Sequence, residues 1–270
     1  MYKFLLIFFL LNNCFSLRFL FMRKEKNSAL SAFPRKNNID IKPKSHNQKL
    51  YFQSLNSNDN NLLLSIGPAG CGKTLFACLK AIDLLKNNEI DKIVITRPVV
   101  PVEEELGFLP GNLVKKMDPW TRPIFDIFLE YYTRSEFDSL IYNNIVEISP
   151  LAFMRGRTFK NSFIIADEMQ NSSPSQMKML TTRIGLNSRM VITGDLDQSD
   201  RMEDNGLRDF ISKFLDYSSN LNFINSIKLI NLNSTDINRN DVVKDIIDIY
   251  NHKKPVYKTA SWINQKNYDY

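Results

Sequence analysis

The octapeptide Gly67-Pro68-Ala69-Gly70-Cys71-Gly72-Lys73-Thr74 constrains this chain more than any other segment. It satisfies the G-x-x-x-x-G-K-[S/T] pattern, and its surroundings suit that pattern. Leu62–Ile66 before it reads as a short buried strand, and Thr74–Lys86 after it reads as a helix. Glycines let the backbone curl so that successive N–H groups converge on phosphate oxygens, and the helix N-terminus adds its positive dipole end. Lys73 suits the β- and γ-phosphates of a nucleotide, and Thr74 suits Mg²⁺ through its hydroxyl. Such a strand–loop–helix unit belongs to an α/β sheet that binds ATP or a similar triphosphate.

Two further strand ends supply what phosphoryl chemistry needs. Phe163–Ala166 is an apolar run that stops at Asp167 and Glu168, so a buried strand delivers two carboxylates to its C-terminal edge. Asp167 is the candidate second Mg²⁺ ligand, and Glu168 is the candidate base that polarises an attacking water. A third strand, Met190–Thr193, runs into Gly194-Asp195-Leu196-Asp197-Gln198. Asp195 and Gln198 there are positioned to sense phosphate or to place water.

These three segments resemble the motifs of superfamily-one helicases, whose second motif reads D-E-x-Q and whose third reads G-D-x-x-Q. Blocks between them narrow the resemblance: Arg97-Pro98-Val99-Val100, Glu105 to Gly111, Asp118 to Pro123, Pro150 to Thr158 and Asp167-Glu168-Met169-Gln170-Asn171 look like those of the PhoH-like ATPase family. Cys71 departs from the threonine usual in that loop, and Met169 from a frequent alanine. The resemblance implies a RecA-like core that hydrolyses ATP with Mg²⁺, assembly into homo-oligomeric rings, and a link to single-stranded RNA. It also implies that Arg239 near the end of the core meets the γ-phosphate, a surface ion pair being the other reading. Arg155 and Arg157 are candidates for contacting a bound strand or ATP in a neighbouring subunit, or are simply exposed loop arginines. Arg183 is a third candidate, or it complements the dipole at a helix end. Gln48 and Tyr51, just ahead of the first strand, are candidates for reading and stacking on adenine, as in related helicases. The bland alternative for that pair is a solvated glutamine and a packed tyrosine.

Charge distribution separates the chain into parts. The formal charge is +6, yet residues 1–48 alone carry nine Lys/Arg against two acids, leaving 26 basic and 27 acidic residues for the remainder. The folded part therefore offers no net-charge argument for nucleic acid. Residues 1–16 read as a signal peptide, with an unbroken apolar run from Phe4 to Leu11 that is too short to span a membrane. Residues 17–46, basic and nearly free of acids, read as a transit-like presequence. Together they suggest plastid targeting through a bipartite leader; an extension without targeting function, in a cytoplasmic protein, is the other reading. Residues 47–250 form the ATPase domain and 251–270 a polar tail. Cys14, Cys71 and Cys78 give no disulfide framework, and His46 and His252 no zinc spacing.

Further strands are expected at Lys92–Thr96, Ile145–Ile148 and Ile227–Leu232. Further helices are expected near Pro123–Thr133 and at Pro174–Ile184, Gly206–Leu215 and Asp241–Tyr250. The alternation argues one RecA-like α/β domain, its sheet mostly parallel with helices on both faces. Three activities fit: an RNA-linked ATPase or helicase, a nucleotide-gated binding module with slow turnover, and a small-molecule kinase. Asp167-Glu168 suits water activation and no acceptor-binding segment is apparent, which disfavours the kinase.

Overall fold

The structure is a computed structural model that describes residues 42–98, 113–199, 204–220 and 225–237, together with 242 and 249. Helix α1 (His46–Asn56) precedes β1 (Leu62–Ile66), and α2 (Lys73–Lys86) leads to β2 (Lys92–Thr96). Helices α3 (Leu113–Leu129) and α4 (Arg134–Tyr142) then precede the short β3 (Val146–Ile148). The chain continues through β4 (Ser162–Ala166), α5 (Pro174–Thr181), β5 (Arg189–Gly194), α6 (Gly206–Asn220) and β6 (Ile227–Asn231). Single 3₁₀ turns follow β3, β4 and β6, at Leu151–Met154, Met169–Asn171 and Ser234–Asp236.

Six strands form one sheet in the order β3-β2-β4-β5-β1-β6, and every pairing is parallel. The sheet is thus parallel throughout, where a mostly parallel one was expected. Strands buried on both faces need no polar alternation, which is why β1 and β4 are buried at all five positions. Their residues divide between two apolar layers. Leu63, Ile93, Ile95, Phe163, Ile165 and Val191 join residues of α1 to α4. Leu62, Leu64, Val94, Ile164, Met190 and Ile192 join Met177, Leu180 and Leu207 of α5 and α6. Parallel register brings all the strand C-termini to one edge. Strand β5 lies between β1, which carries the phosphate loop, and β4, which carries the acids. This separation is that of a RecA-like sheet.

The structure corrects several boundaries. Helix α3 starts at Leu113 and runs through Pro119 and Pro123, so neither proline begins it. Each proline removes one helical hydrogen bond, while Ile124, Phe125 and Phe128 anchor the helix in the core. Helix α5 stops at Thr181, because Arg183 N–H turns to Leu180 O at 2.8 Å and Ile184 bridges to Phe159. Helix α6 extends to Asn220. Helices α1 and α4 were not expected. Ser45 caps the first, and a capping box of Thr133 and Glu136 starts the second. Residues 1–41 of the leader, most of the expected last helix and the polar tail lie outside the described residues, as does the Glu105–Gly111 block.

Candidate functional site

The phosphate loop joins β1 to α2 through three left-handed or otherwise glycine-specific positions, Gly67, Gly70 and Gly72, with φ of 152°, 87° and 92°. Gly67 is irreplaceable on space as well. A Cβ there would lie 2.4 Å from the Leu232 carbonyl oxygen, where the segment after β6 crosses the loop. Gly67 N–H donates to Gly194 O at 3.1 Å, and Leu232 N–H donates to Ile66 O at 2.7 Å, so β5, β1 and the β6 exit fix the start of the loop. Gly72 is the N-cap of α2 and places Lys73 in its first turn. Lys73 Nζ donates to the carbonyls of Gly67 (2.6 Å) and Pro68 (2.9 Å), so the ammonium group lies across the loop. Cys71 is buried, its thiol donates to Pro68 O at 2.9 Å, and burial pushes its pKa up. It is a packed thiol with little thiolate character.

The acids meet this loop from the neighbouring strand end. Asp167 is 6% exposed, and its Oδ1 accepts hydrogen bonds from Thr74 Oγ1 (2.7 Å) and from Thr193 Oγ1 of β5 (2.5 Å). A hydroxyl and a carboxylate in contact, both hard oxygen donors, fit a Mg²⁺ ion that takes few protein ligands and fills its shell with phosphate and water. Among the described residues no group of three or more His, Cys, Asp and Glu side chains assembles.

Glu168 departs from ordinary geometry. Its backbone is left-handed, φ 54° and ψ 40°, in a residue with no glycine freedom. This turns the chain sharply off β4 into the 3₁₀ turn. Gln170 Nε2 donates to Glu168 Oε2 at 2.5 Å, and an Arg97 guanidinium nitrogen lies 3.8 Å from Oε1. Gln170 is buried at 2% exposure, and its own Oε1 accepts from Asp195 N–H at 3.1 Å. One amide therefore ties the β4 exit to the β5 exit. Asp195 is buried, its Oδ1 accepting from Asp197 N–H, while Gln198 is exposed. The D-E-x-Q pattern by itself assigns no role to its glutamine, Gln170.

Other candidates fall elsewhere. Tyr51 is fully enclosed, its ring tilted against Phe76 and its hydroxyl donating to Lys73 O at 2.9 Å. The stacking role expected of it is corrected, because no ring face is open to a base. Gln48 is also buried, and its amide is already used: Nε2 donates to Cys71 O and Asp236 O, and Oε1 accepts from Lys44 N–H. It binds the phosphate loop from behind instead of presenting an edge to adenine. Asp236 closes the same cluster. Burial pushes its carboxyl up, but bonds from Ser45, Asn233 N–H and Asn47, with the charge of His46, leave it below the usual range.

Arg157 is not a free loop arginine. Its two guanidinium nitrogens grip both oxygens of Glu147 on β3, and the guanidinium carbon sits 4.6 Å from the Phe159 ring centroid. Lys92 reaches the same carboxylate at 2.8 Å. The bond from Arg157, then that from Lys92, depresses the Glu147 pKa to about 2. Arg183 donates to Met179 O and Arg157 O, closing the end of α5. Arg155 is exposed, and Arg239 lies outside the described residues.

A PhoH-like protein family model matches residues 40–251, which include every one of these strand ends. The chain belongs to the PhoH-like protein family. It is 42% identical over 210 residues to a PhoH-like protein of Bacillus subtilis, covering 78% of this chain and 64% of the relative. It is 37% identical over 227 residues to one of Synechocystis, covering 82% and 66%, and 40% identical over 174 residues to Escherichia coli protein PhoH, covering 61% and 47%. The chain thus spans about two thirds or less of the length of these relatives. Among solved structures it is similar to the Pif1 helicase of Candida albicans, at 14% identity with a TM-score of 0.39, over 78% of this chain and 44% of that one. A Bacteroides Pif1 helicase in complex with ADP-AlF3 and ssDNA is similar at 12% identity and a TM-score of 0.34, over 78% and 47%.

Proposed function

We propose that this PhoH-like protein is a Mg²⁺-dependent ATPase whose turnover serves RNA. The observation that carries the reading is the 2.7 Å contact between Thr74 of the phosphate loop and Asp167 of β4, with Glu168 the next residue. In this reading the loop amides and Lys73 hold the phosphates, and Thr74 and Asp167 hold the metal. When bound, Mg²⁺ neutralises charge on the phosphate oxygens. Glu168 accepts a proton from water as the water oxygen bonds to the γ-phosphorus, while the bond from that phosphorus to the β–γ bridging oxygen breaks and ADP leaves. Asp195 and Gln198 lie at the β5 exit, where a γ-phosphate or its attacking water is sensed.

The RNA link, a ring assembly and a plastid location are parts of the same proposal. They draw on the family resemblance and on the leader. A second reading, the slowly turning nucleotide-gated module, is favoured by one observation: both Glu168 oxygens already have partners. Steady-state phosphate release by the purified chain, with and without poly(U), tests both. Turnover that requires Mg²⁺ and rises with poly(U) supports the first. Slow turnover indifferent to poly(U) supports the second, and no turnover beyond that of a Lys73→Ala variant refutes hydrolysis altogether.

A further inference from the structure

The Glu168 carboxylate is held from two directions that match the strand order. On the β5 side, Gln170 is buried and anchored to Asp195 N–H, so its 2.5 Å bond to Oε2 is a fixed point. On the other side lies β2, which pairs with β4 through Thr96 opposite Ala166 and through Asp167 N–H donating to Thr96 O at 2.9 Å. Arg97 follows Thr96 directly. Its guanidinium sits 3.8 Å from Oε1, within ion-pair range and beyond a hydrogen bond, with side chains of Arg97 and Glu168 31% and 37% exposed. The Glu168 carboxylate, carried on a left-handed backbone, is thus held between these partners.

We propose that Arg97 is a positioning residue for Glu168. Gln170 sets where one carboxylate oxygen sits, and Arg97 draws the other toward β2, fixing the rotation of the group about the Gln170 contact. The rotation matters because a base works only within hydrogen-bond reach of its water, and a misplacement of an ångström costs up to about two orders of magnitude in rate. A long contact suits this role: it orients by charge without immobilising the group that must move with the proton. The inference rests on Glu168 as the water-activating residue and deepens that reading.

The test combines Arg97→Ala, Arg97→Lys and Glu168→Gln. Each is assayed for ATP turnover and, separately, for affinity for a fluorescent non-hydrolysable ATP analogue. Arg97→Ala is expected to lower kcat about tenfold, with KM and analogue affinity within about twofold of the parent. Arg97→Lys, which keeps a positive charge beside the carboxylate, is expected to recover to within about threefold of the parent. In the Glu168→Gln background, Arg97→Ala is expected to leave the residual single-turnover rate unchanged, since an effect exerted through Glu168 vanishes with it. A rise in KM at constant kcat would make Arg97 a phosphate ligand and overturn the proposal. Equal Ala and Lys rates, or effects that multiply in the double variant, would do so too. If Glu168→Gln alone turns over normally, the base assignment falls and this inference with it. If Glu168→Gln is inactive while Arg97→Ala keeps the full rate, only this inference falls.

Discussion

Neutralising Glu147 by Glu147→Gln isolates the charge that disciplines Arg157. The carboxylate is 15% exposed and serves two cations, Arg157 and Lys92, whose side chains are 36% and 28% exposed. Its pKa falls from 4.5 to about 2, chiefly through the Arg157 hydrogen bonds. At about 1.4 kcal/mol per unit this linkage sets a ceiling of about 3 kcal/mol. The two cations are partly in solvent, and screening reduces the figure to about 1–2 kcal/mol. The folded pKa lies below the unfolded one. The contribution is therefore complete above about pH 4.5 and disappears as pH falls toward 2. Urea unfolding of the parent and Glu147→Gln should differ by about 1–2 kcal/mol at pH 7, and the gap should narrow steadily on acidification below pH 4.5. A gap of the same size at about pH 3 as at pH 7 would refute the ion-pair account and leave only a loss of packing.

Lys73→Ala is expected to abolish detectable turnover, or to weaken ATP-analogue binding at least about tenfold, with an unchanged circular dichroism spectrum; parent-like affinity and hydrolysis in the folded variant would count against the phosphate-loop assignment. Gly67→Ala must displace the Leu232 carbonyl or the loop and should cost about 2–4 kcal/mol in chemical denaturation, with Ala69→Gly as a mild control in the same loop. Mixing inactive Glu168→Gln with an inactive Arg155→Ala or Arg239→Ala protein should regain part of the activity if an arginine acts in trans, and a strictly monomeric protein without rescue in any mixture would exclude that assembly. A fluorescent protein carrying residues 1–48 should enter plastids and be shortened there; a full-length cytosolic product would remove the targeting proposal.

Much of the sheet was legible because a strand buried on both faces has to be an apolar run. Leu62–Ile66 and Lys92–Thr96 coincide with their expected bounds for that reason. The Thr74–Asp167 contact was legible too, as Asp167 ends one such run and Thr74 closes the loop that follows another. Helix α1 was harder, for only Gln48, Tyr51, Ser54 and Leu55 face inward and two of those are polar. Its signal lay in Ser45 with Gln48 three residues on, a start pattern that also opens α4 at Thr133 and Glu136. What sequence could not yield was partner choice across space. Nothing in Arg157 separates an arginine gripping Glu147 from one awaiting phosphate, and a glutamine that reads a base looks like one bonded to Cys71 O. The left-handed Glu168 was invisible because local preference opposes it and the surrounding bonds impose it.

The order of the sheet has a consequence for how the chain comes into being. Strand β1 pairs with β5 and β6, Leu62 lying opposite Met190 and Ile227. Its neighbours are thus made roughly 130 and 165 residues after it, a wait of about 10–30 s at ordinary rates of translation. Through that interval Leu62-Leu63-Leu64 has no strand beside it, although β2 can pair with β3 and then with β4 as they emerge. The strand that leads into the phosphate loop is therefore an apolar run without its partners on the nascent chain, and the loop is fixed at its start only when the far end of the domain folds back beside it.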